Sequence, residues 1–241
     1  MLTIPDAIAL LQRLREALAD RVVGFEVMSA FSLVLSRRHH PGSPELLPGH
    51  PWYALVQIDE SAPDAPLEAA VEEVLADAVE AGIVADVVLA QSQAQAARMW
   101  ALRENISEAQ RKEGPNVKHD ISLPVSAIPA FMNECADALA AAFPDSRLVV
   151  FGHLGDGNLH YNVSAPEGVA ARAFMDHAHA INRIVHDLVA RHGGSFSAEH
   201  GVGTLKLHDM ALRKPPVALA LMRSIKQALD PQGRLNPGRV L

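Results

Sequence analysis

The chain doubles back at one point in a way that no wholly parallel sheet allows. Residues 151–162 read Phe-Gly-His-Leu-Gly-Asp-Gly-Asn-Leu-His-Tyr-Asn. Two strand-like runs, Leu148–His153 and Asn158–Ser164, flank Asp156-Gly157, and glycine accepts the positive φ that a two-residue type I′ turn requires. A tight turn joins antiparallel strands, whereas parallel neighbours need a long crossover.

Around this hairpin, helical and strand periods alternate. Helical spacing covers Pro5–Ala19, with Ile8, Leu11, Leu14 and Leu18 on one face and Thr3 placed to cap it. A short helix follows near Ser29–Arg37, then longer ones at Leu67–Ala81, Gln91–Lys112, Ser126–Phe143, Gly168–His192 and Pro216–Leu229. Strands are expected at Val22–Met28, Trp52–Ile58, Val84–Leu89 and Val117–Leu123. Arg38–Pro51 and Asp59–Pro66 read as loops, and Arg234–Leu241 as an irregular tail. The fold class expected is α+β: an antiparallel sheet with helices on one face, built from two split-βαβ units of ferredoxin-like type. One domain fills residues 1–241, with a sheet-and-helix core to residue 200 and a C-terminal helical segment over 201–241.

Composition excludes several functions. A net charge of −7 argues against nucleic acid as a default partner and leaves a small anion to a local basic pocket. The single cysteine, Cys135, lies in an apolar helical pattern and reads as a buried small hydrophobe; alone it builds neither a disulfide nor a thiolate metal site. No run of about 18 apolar residues is present, and the N-terminus opens as a capped helix, so no transmembrane segment or signal peptide is expected. A cytoplasmic setting follows as the expectation. No glycine-rich phosphate loop or dinucleotide fingerprint occurs.

The hairpin aims chemistry at one point. With Asp156-Gly157 as a two-residue turn, His153 pairs directly with His160, their Cβ atoms about 5 Å apart, and Asn162 shares that face. Two imidazoles so placed suit a divalent ion of the zinc or manganese type. A third donor is offered by Gly193-Gly194-Ser195-Phe196-Ser197-Ala198-Glu199-His200-Gly201: Glu199 completes a two-His, one-carboxylate set, and His200 is a base if it does not itself ligate. Spacing alone leaves open that Glu199 caps a helix and that His200 is a solvated loop residue. Arg103 and Ser107, four residues apart on one helix face, and Lys118 at a strand start, offer a carboxylate pocket. An Arg103–Glu ion pair and an exposed Lys118 are the bland alternative. The remaining histidines fall on loops or helices and suit solvated or core roles.

Three longer stretches, Gly152–His160, Ser197–Gly203 and Leu229–Gly238, occur in an order that resembles the C-terminal domain of FAD-linked oxidases of the vanillyl-alcohol oxidase superfamily, in the branch of D-2-hydroxyglutarate dehydrogenase, D-lactate dehydrogenase and the flavin subunit of glycolate oxidase. The resemblance implies His153, His160 and Glu199 as ligands of a divalent metal, with zinc foremost. It implies Arg103, Ser107 and Lys118 as contacts to a 2-hydroxy acid substrate, although the family often has Thr where Ser107 stands. Asn162 and His200 become polar groups at the reacting carbon, and Asn236 the tail residue approaching FAD. The family's FAD-binding domain precedes this one and is expected from elsewhere; without it the chain should be colourless and lack redox activity. The electron acceptor is open, and a homodimer is a further open expectation. Rival readings are a non-redox metal and carboxylate-binding module, or a metal-dependent hydrolase with Glu199 as base.

Overall fold

A computed structural model describes residues 3–44, 47–62 and 67–241. The expected loops through Glu45-Leu46 and through Pro63–Pro66 lie partly outside those residues. In chain order the described elements are α1 (Ile4–Leu18), β1 (Val22–Ser29), α2 (Ala30–His39), β2 (Trp52–Ile58), α3 (Leu67–Glu80), α4 (Gln93–Glu104), α5 (Ile106–Glu113), β3 (Asn116–Val117) and β4 (Asp120–Ser122). The second half adds α6 (Ile128–Ala142), β5 (Arg147–His153), β6 (Asn158–Ser164), α7 (Ala171–Met175), α8 (Ala178–Arg191), α9 (Leu207–Arg213) and α10 (Pro216–Leu229).

Helix α1 begins as its sequence dictates. Thr3 Oγ1 accepts from the Asp6 amide at 3.2 Å, and Asp6 Oδ2 accepts from the Thr3 amide at 2.9 Å, closing a capping box. Its periodic residues Ala7, Leu10, Leu11, Leu14 and Leu18 are all buried.

The sheet is antiparallel throughout, in the order β2-β1-β5-β6-β3, with β4 beside β3 on the same edge of β6. Strands β4 and β5 are joined by α6 and both pair with β6, which makes one split-βαβ unit. The second expected unit does not form, because residues 84–89 join no ladder. That segment buries Val84 and folds the Asp86 carboxylate onto the Val87 amide at 2.8 Å, so its apolar run meets no partner edge and forms no strand. The expected strand over 117–123 is split into β3 and β4. At the break, the Asn162 side-chain oxygen accepts from the His119 amide at 2.9 Å in place of a main-chain partner.

Helices cover both faces of the sheet rather than one. On one face Phe25, Val27, Val150, Leu159, Tyr161 and Val163 pack into a large core with α1, α6 and α8, and Cys135 is buried there with its thiol pushed up to about 12 by burial. On the other face Met28, Val149 and Phe151 meet Leu33 and Leu35 of α2, Leu102 of α4, and Ile106 and Ala109 of α5. Alternation along each strand enforces this division. A third, small cluster, Phe196, Met210 and Leu219 with Leu241, holds the C-terminal segment. There α10 buries Leu219 but leaves Val217, Leu221, Ile225 and Leu229 exposed at four-residue spacing. Helix α9 has no counterpart among the expected elements; seven residues are too few to display a period.

Candidate metal and carboxylate site

The hairpin is real but its turn is longer than expected. Leu154–Asp156 forms a 3₁₀ turn closed by Gly157 at φ 77°, and Asp156 Oδ1 accepts from the Asn158 amide at 3.0 Å. The ladder therefore pairs Phe151 with His160, not His153 with His160. Four residues turn the chain where two were expected. The slip is an even number of positions, so His153 and His160 still share a face, diagonal to one another rather than opposite. Gly157 has no alternative, since a Cβ there would sit 1.9 Å from the Leu123 carbonyl oxygen.

Two neighbouring strands add carboxylates that sequence reasoning missed. Glu26 of β1 is the register partner of His153. It is 1% exposed, its Oε2 accepts from Nε of Arg103 at 2.6 Å, and its Oε1 contacts Nδ1 of His153. Asp120 of β4 is the register partner of His160 and is 3% exposed. Its Oδ2 accepts from the backbone amides of Ala198 at 3.2 Å, Glu199 at 3.0 Å and His200 at 2.8 Å.

Asp120 thereby wraps the 197–201 loop around itself. The approach begins at Gly194, where a Cβ would lie 2.3 Å from the Ser122 carbonyl oxygen, and the Ser122–Ser195 bridge carries the chain across β4. The result sets Glu199 Oε1 3.5 Å from His153 Nε2 and stacks His200 on His160 at 5.3 Å between ring centroids. Donor atoms of Asp120, His160 and His200 lie within 4.8 Å of one another.

Electrostatics prepare these groups as donors. His160 is lowered to about 4, first by burial, then by the Arg103 charge, with His200 and His153 adding to it against Asp120. Its imidazole is therefore neutral near pH 7, with a lone pair available. Burial raises Asp120, but the His200 amide and the facing positive groups outweigh it and hold the carboxyl below its usual range. Asp120 Oδ1 is buried without a partner, and so are both amide atoms of Asn158, which points to the same face as His160.

Among the described residues the three donors drawn together, Asp120, His160 and His200, fit a divalent cation. Of the expected set His153, His160 and Glu199, the structure pairs His153 with Glu199 and leaves His160 with the other group. An edge of a tetrahedron with arms of about 2.1 Å, the usual length for nitrogen and oxygen ligands, is about 3.4 Å, which matches the 3.5 Å between His153 Nε2 and Glu199 Oε1. The buried, anionic and partnerless Asp120 oxygen favours positive charge beside His160 and His200.

The other expected site residues are distributed unevenly. Arg103 lies over the Phe151 ring at 4.6 Å, close to His160 and locked to Glu26. The long helix expected over 91–112 breaks at Asn105 into α4 and α5, and Ser107, in the first turn of α5, is exposed. Lys118 is exposed at the break between β3 and β4. Asn162 is 3% exposed and spans the His119 amide and Gln110 Oε1, at 2.9 Å each. Asn236 is exposed in the tail, at φ 48°.

The chain is similar to several curated proteins. It is 40% identical over 191 residues to a D-2-hydroxyglutarate dehydrogenase of Xanthomonas citri, covering 79% of this chain and 40% of that protein. To the mitochondrial D-2-hydroxyglutarate dehydrogenase of Rattus norvegicus it is 37% identical over 227 residues, which is 93% of this chain and 40% of the relative. A putative mitochondrial D-lactate dehydrogenase of Schizosaccharomyces pombe is 33% identical over 233 residues, which is 92% of this chain and 43% of the relative. The chain thus spans about two fifths of the length of these relatives. The profile described as FAD linked oxidases, C-terminal domain, matches residues 1–240, and the chain belongs to that family.

Proposed function

We propose that this chain is the substrate- and metal-binding part of an FAD-dependent dehydrogenase that oxidises a D-2-hydroxy acid, of the D-2-hydroxyglutarate, D-lactate or glycolate class, to the 2-oxo acid. The observation that carries the reading is the convergence of Glu199 on His153 and of His200 on His160, around the buried Asp120. In this reading His153, His160 and Glu199 hold the ion, zinc by preference. Arg103 takes the substrate carboxylate through the part of its fork that Glu26 does not occupy, with Ser107 and Lys118 at the solvent side. His200 is the base: with Nδ1 turned toward Asp120, 3.9 Å away, Nε2 is the atom that accepts the hydroxyl proton. Asn162, clamped at both ends of its amide, presents a fixed dipole beside His160. When bound, the ion supplies Lewis acidity and the flavin supplies a two-electron acceptor.

The flavin would be held by a part of the protein corresponding to the portion of the relatives that this chain does not span. The exposed Val217, Leu221, Ile225 and Leu229 stripe and the exposed Asn236 support a partner surface on that side. The compartment proposed is the cytoplasm, which suits a lone buried thiol, although several relatives carry mitochondrial names. Among the described residues no helix is long and apolar enough to cross a membrane.

Metal analysis and turnover of the complete protein, set against its His160→Ala variant and a panel of D-2-hydroxy acids, test the proposal. Loss of one imidazole should weaken metal binding by about 10–100-fold and remove most turnover. Unchanged metal content and activity in that variant would sink the ligand set.

A further inference from the structure

Glu26 has no place in the site as read from motifs, yet it is the most deeply buried carboxylate next to it, at 1% exposure. A strand position with apolar neighbours, Phe25 and Val27, does not tolerate a charge without compensating partners. Glu26 has two, one on each oxygen, and both are residues of the proposed site: Arg103 through Nε at 2.6 Å and His153 through Nδ1. The second contact is set by the β1–β5 ladder, which puts Glu26 directly opposite His153.

We propose that Glu26 is a positioning residue that fixes His153 with its proton on Nδ1 and, through its other oxygen, fixes the direction of Arg103. The proposal rests on the reading of His153 as a metal ligand. A carboxylate has only acceptors, so the ring nitrogen beside it carries the hydrogen, and a neutral imidazole then has its lone pair on the other nitrogen. That other nitrogen, Nε2, is the one 3.5 Å from Glu199 Oε1. A carboxylate behind a ligating imidazole sets both ring orientation and basicity. On the other side, holding the planar guanidinium by its Nε edge and over the Phe151 ring at 4.6 Å leaves its remaining N–H groups pointing one way only. One side chain thus aligns the metal ligand and the carboxylate-binding cation with each other. Substitution at position 26 should disturb both at once.

The test needs two readouts on the metal-free full chain. Nitrogen-15 spectra of the histidine rings at about pH 8, above the ordinary histidine range, report the tautomer of His153, assigned by its loss in His153→Ala. The wild-type chain should show the proton on Nδ1, and Glu26→Gln should show a mixture of tautomers. A proton on Nε2 in the wild type overturns the proposal without recourse to any variant, so a Glu26→Gln chain that does not fold leaves it testable. Zinc titration is the second readout. Glu26→Gln should weaken binding by about 10–100-fold, and adding it to His153→Ala should change the residual affinity less than twofold, because Glu26 acts through that ring. If zinc binds the wild type and Glu26→Gln binds within twofold of it, Glu26 is a structural ion pair and the metal reading stands. If zinc does not bind the wild type, the metal reading fails, and the tautomer alone decides the role of Glu26.

Discussion

The two faces of the sheet use the same strands for opposite ends. On β1, β5 and β6, one set of alternate residues is Phe25, Val27, Val150, Leu159, Tyr161 and Val163, sealed under α1, α6 and α8. The intervening set runs from Met28, Val149 and Phe151 at the covered end to Glu26, His153 and His160 at the open one. The core and the candidate site are therefore sorted by strand parity. The donors stand on a backbone whose rear side is already immobilised, which reduces the cost of ordering them around a ligand.

The sharpest way to break that comparison is to damage the rear face alone. Phe131, fully buried and edge-on to Tyr161 at 5.3 Å, anchors it. Phe131→Ala should cost about 3–5 kcal/mol in urea unfolding while zinc affinity of the folded protein stays within twofold. A loss of affinity comparable to that of a ligand variant would show the faces are not separable.

Protons probe the rear face next. His119, wedged between Tyr161, Asn182 and His186, is lowered to about 4, first by burial and then by the His186 charge, with Lys206 adding to it. The unfolded chain takes up its proton near the ordinary value of 6.5, and the folded chain only near 4. The stabilisation is therefore complete above pH 6.5 and declines as pH falls toward 4, by about 3 kcal/mol in all. His119→Gln should flatten the dependence of unfolding free energy on pH over that window.

On the chemical face the effects should be smaller in stability and larger in order. Asp120→Ala strips the acceptor from the amides of residues 198–200 and should cost about 1–3 kcal/mol. Amide exchange should quicken at those three residues and not in α8; equal acceleration in both would contradict a local role. The smallest effect is expected at Ser107, which is exposed: Ser107→Ala should stay within about 0.5 kcal/mol of the parent stability.

What could be read from the sequence was what is local. The α1 cap, the helical stripes and the hairpin depend on residues within a few positions of each other, and the shared face of His153 and His160 survived a misjudged turn because parity is insensitive to an even slip. Glu26 and Asp120 were illegible for the converse reason. Each is a lone acid in an apolar strand, and its partners lie far along the chain: Arg103 is 77 residues from Glu26, and His200 is 80 from Asp120. Residues 84–89 failed as a strand because an apolar run specifies burial but not a pairing edge. For Arg103 the structure shows the Arg–Glu ion pair that the sequence offered as the bland alternative, and the identity of its acid, Glu26, was not readable from spacing.

Gly157 carries a consequence for how this sequence can drift. Its amide donates to the Leu154 carbonyl at 3.3 Å and closes the hairpin tip, its carbonyl accepts from the Leu123 amide at 3.0 Å, and the Leu123 carbonyl occupies the space of any β-carbon. Every codon change away from glycine inserts an atom into that space and forces a backbone angle of 77° on a residue that resists it. The tip between the two histidines is thus closed to substitution by geometry alone, whatever reaction the protein performs. Descendants of this chain can trade the surface around the hairpin freely but must inherit its turn unchanged.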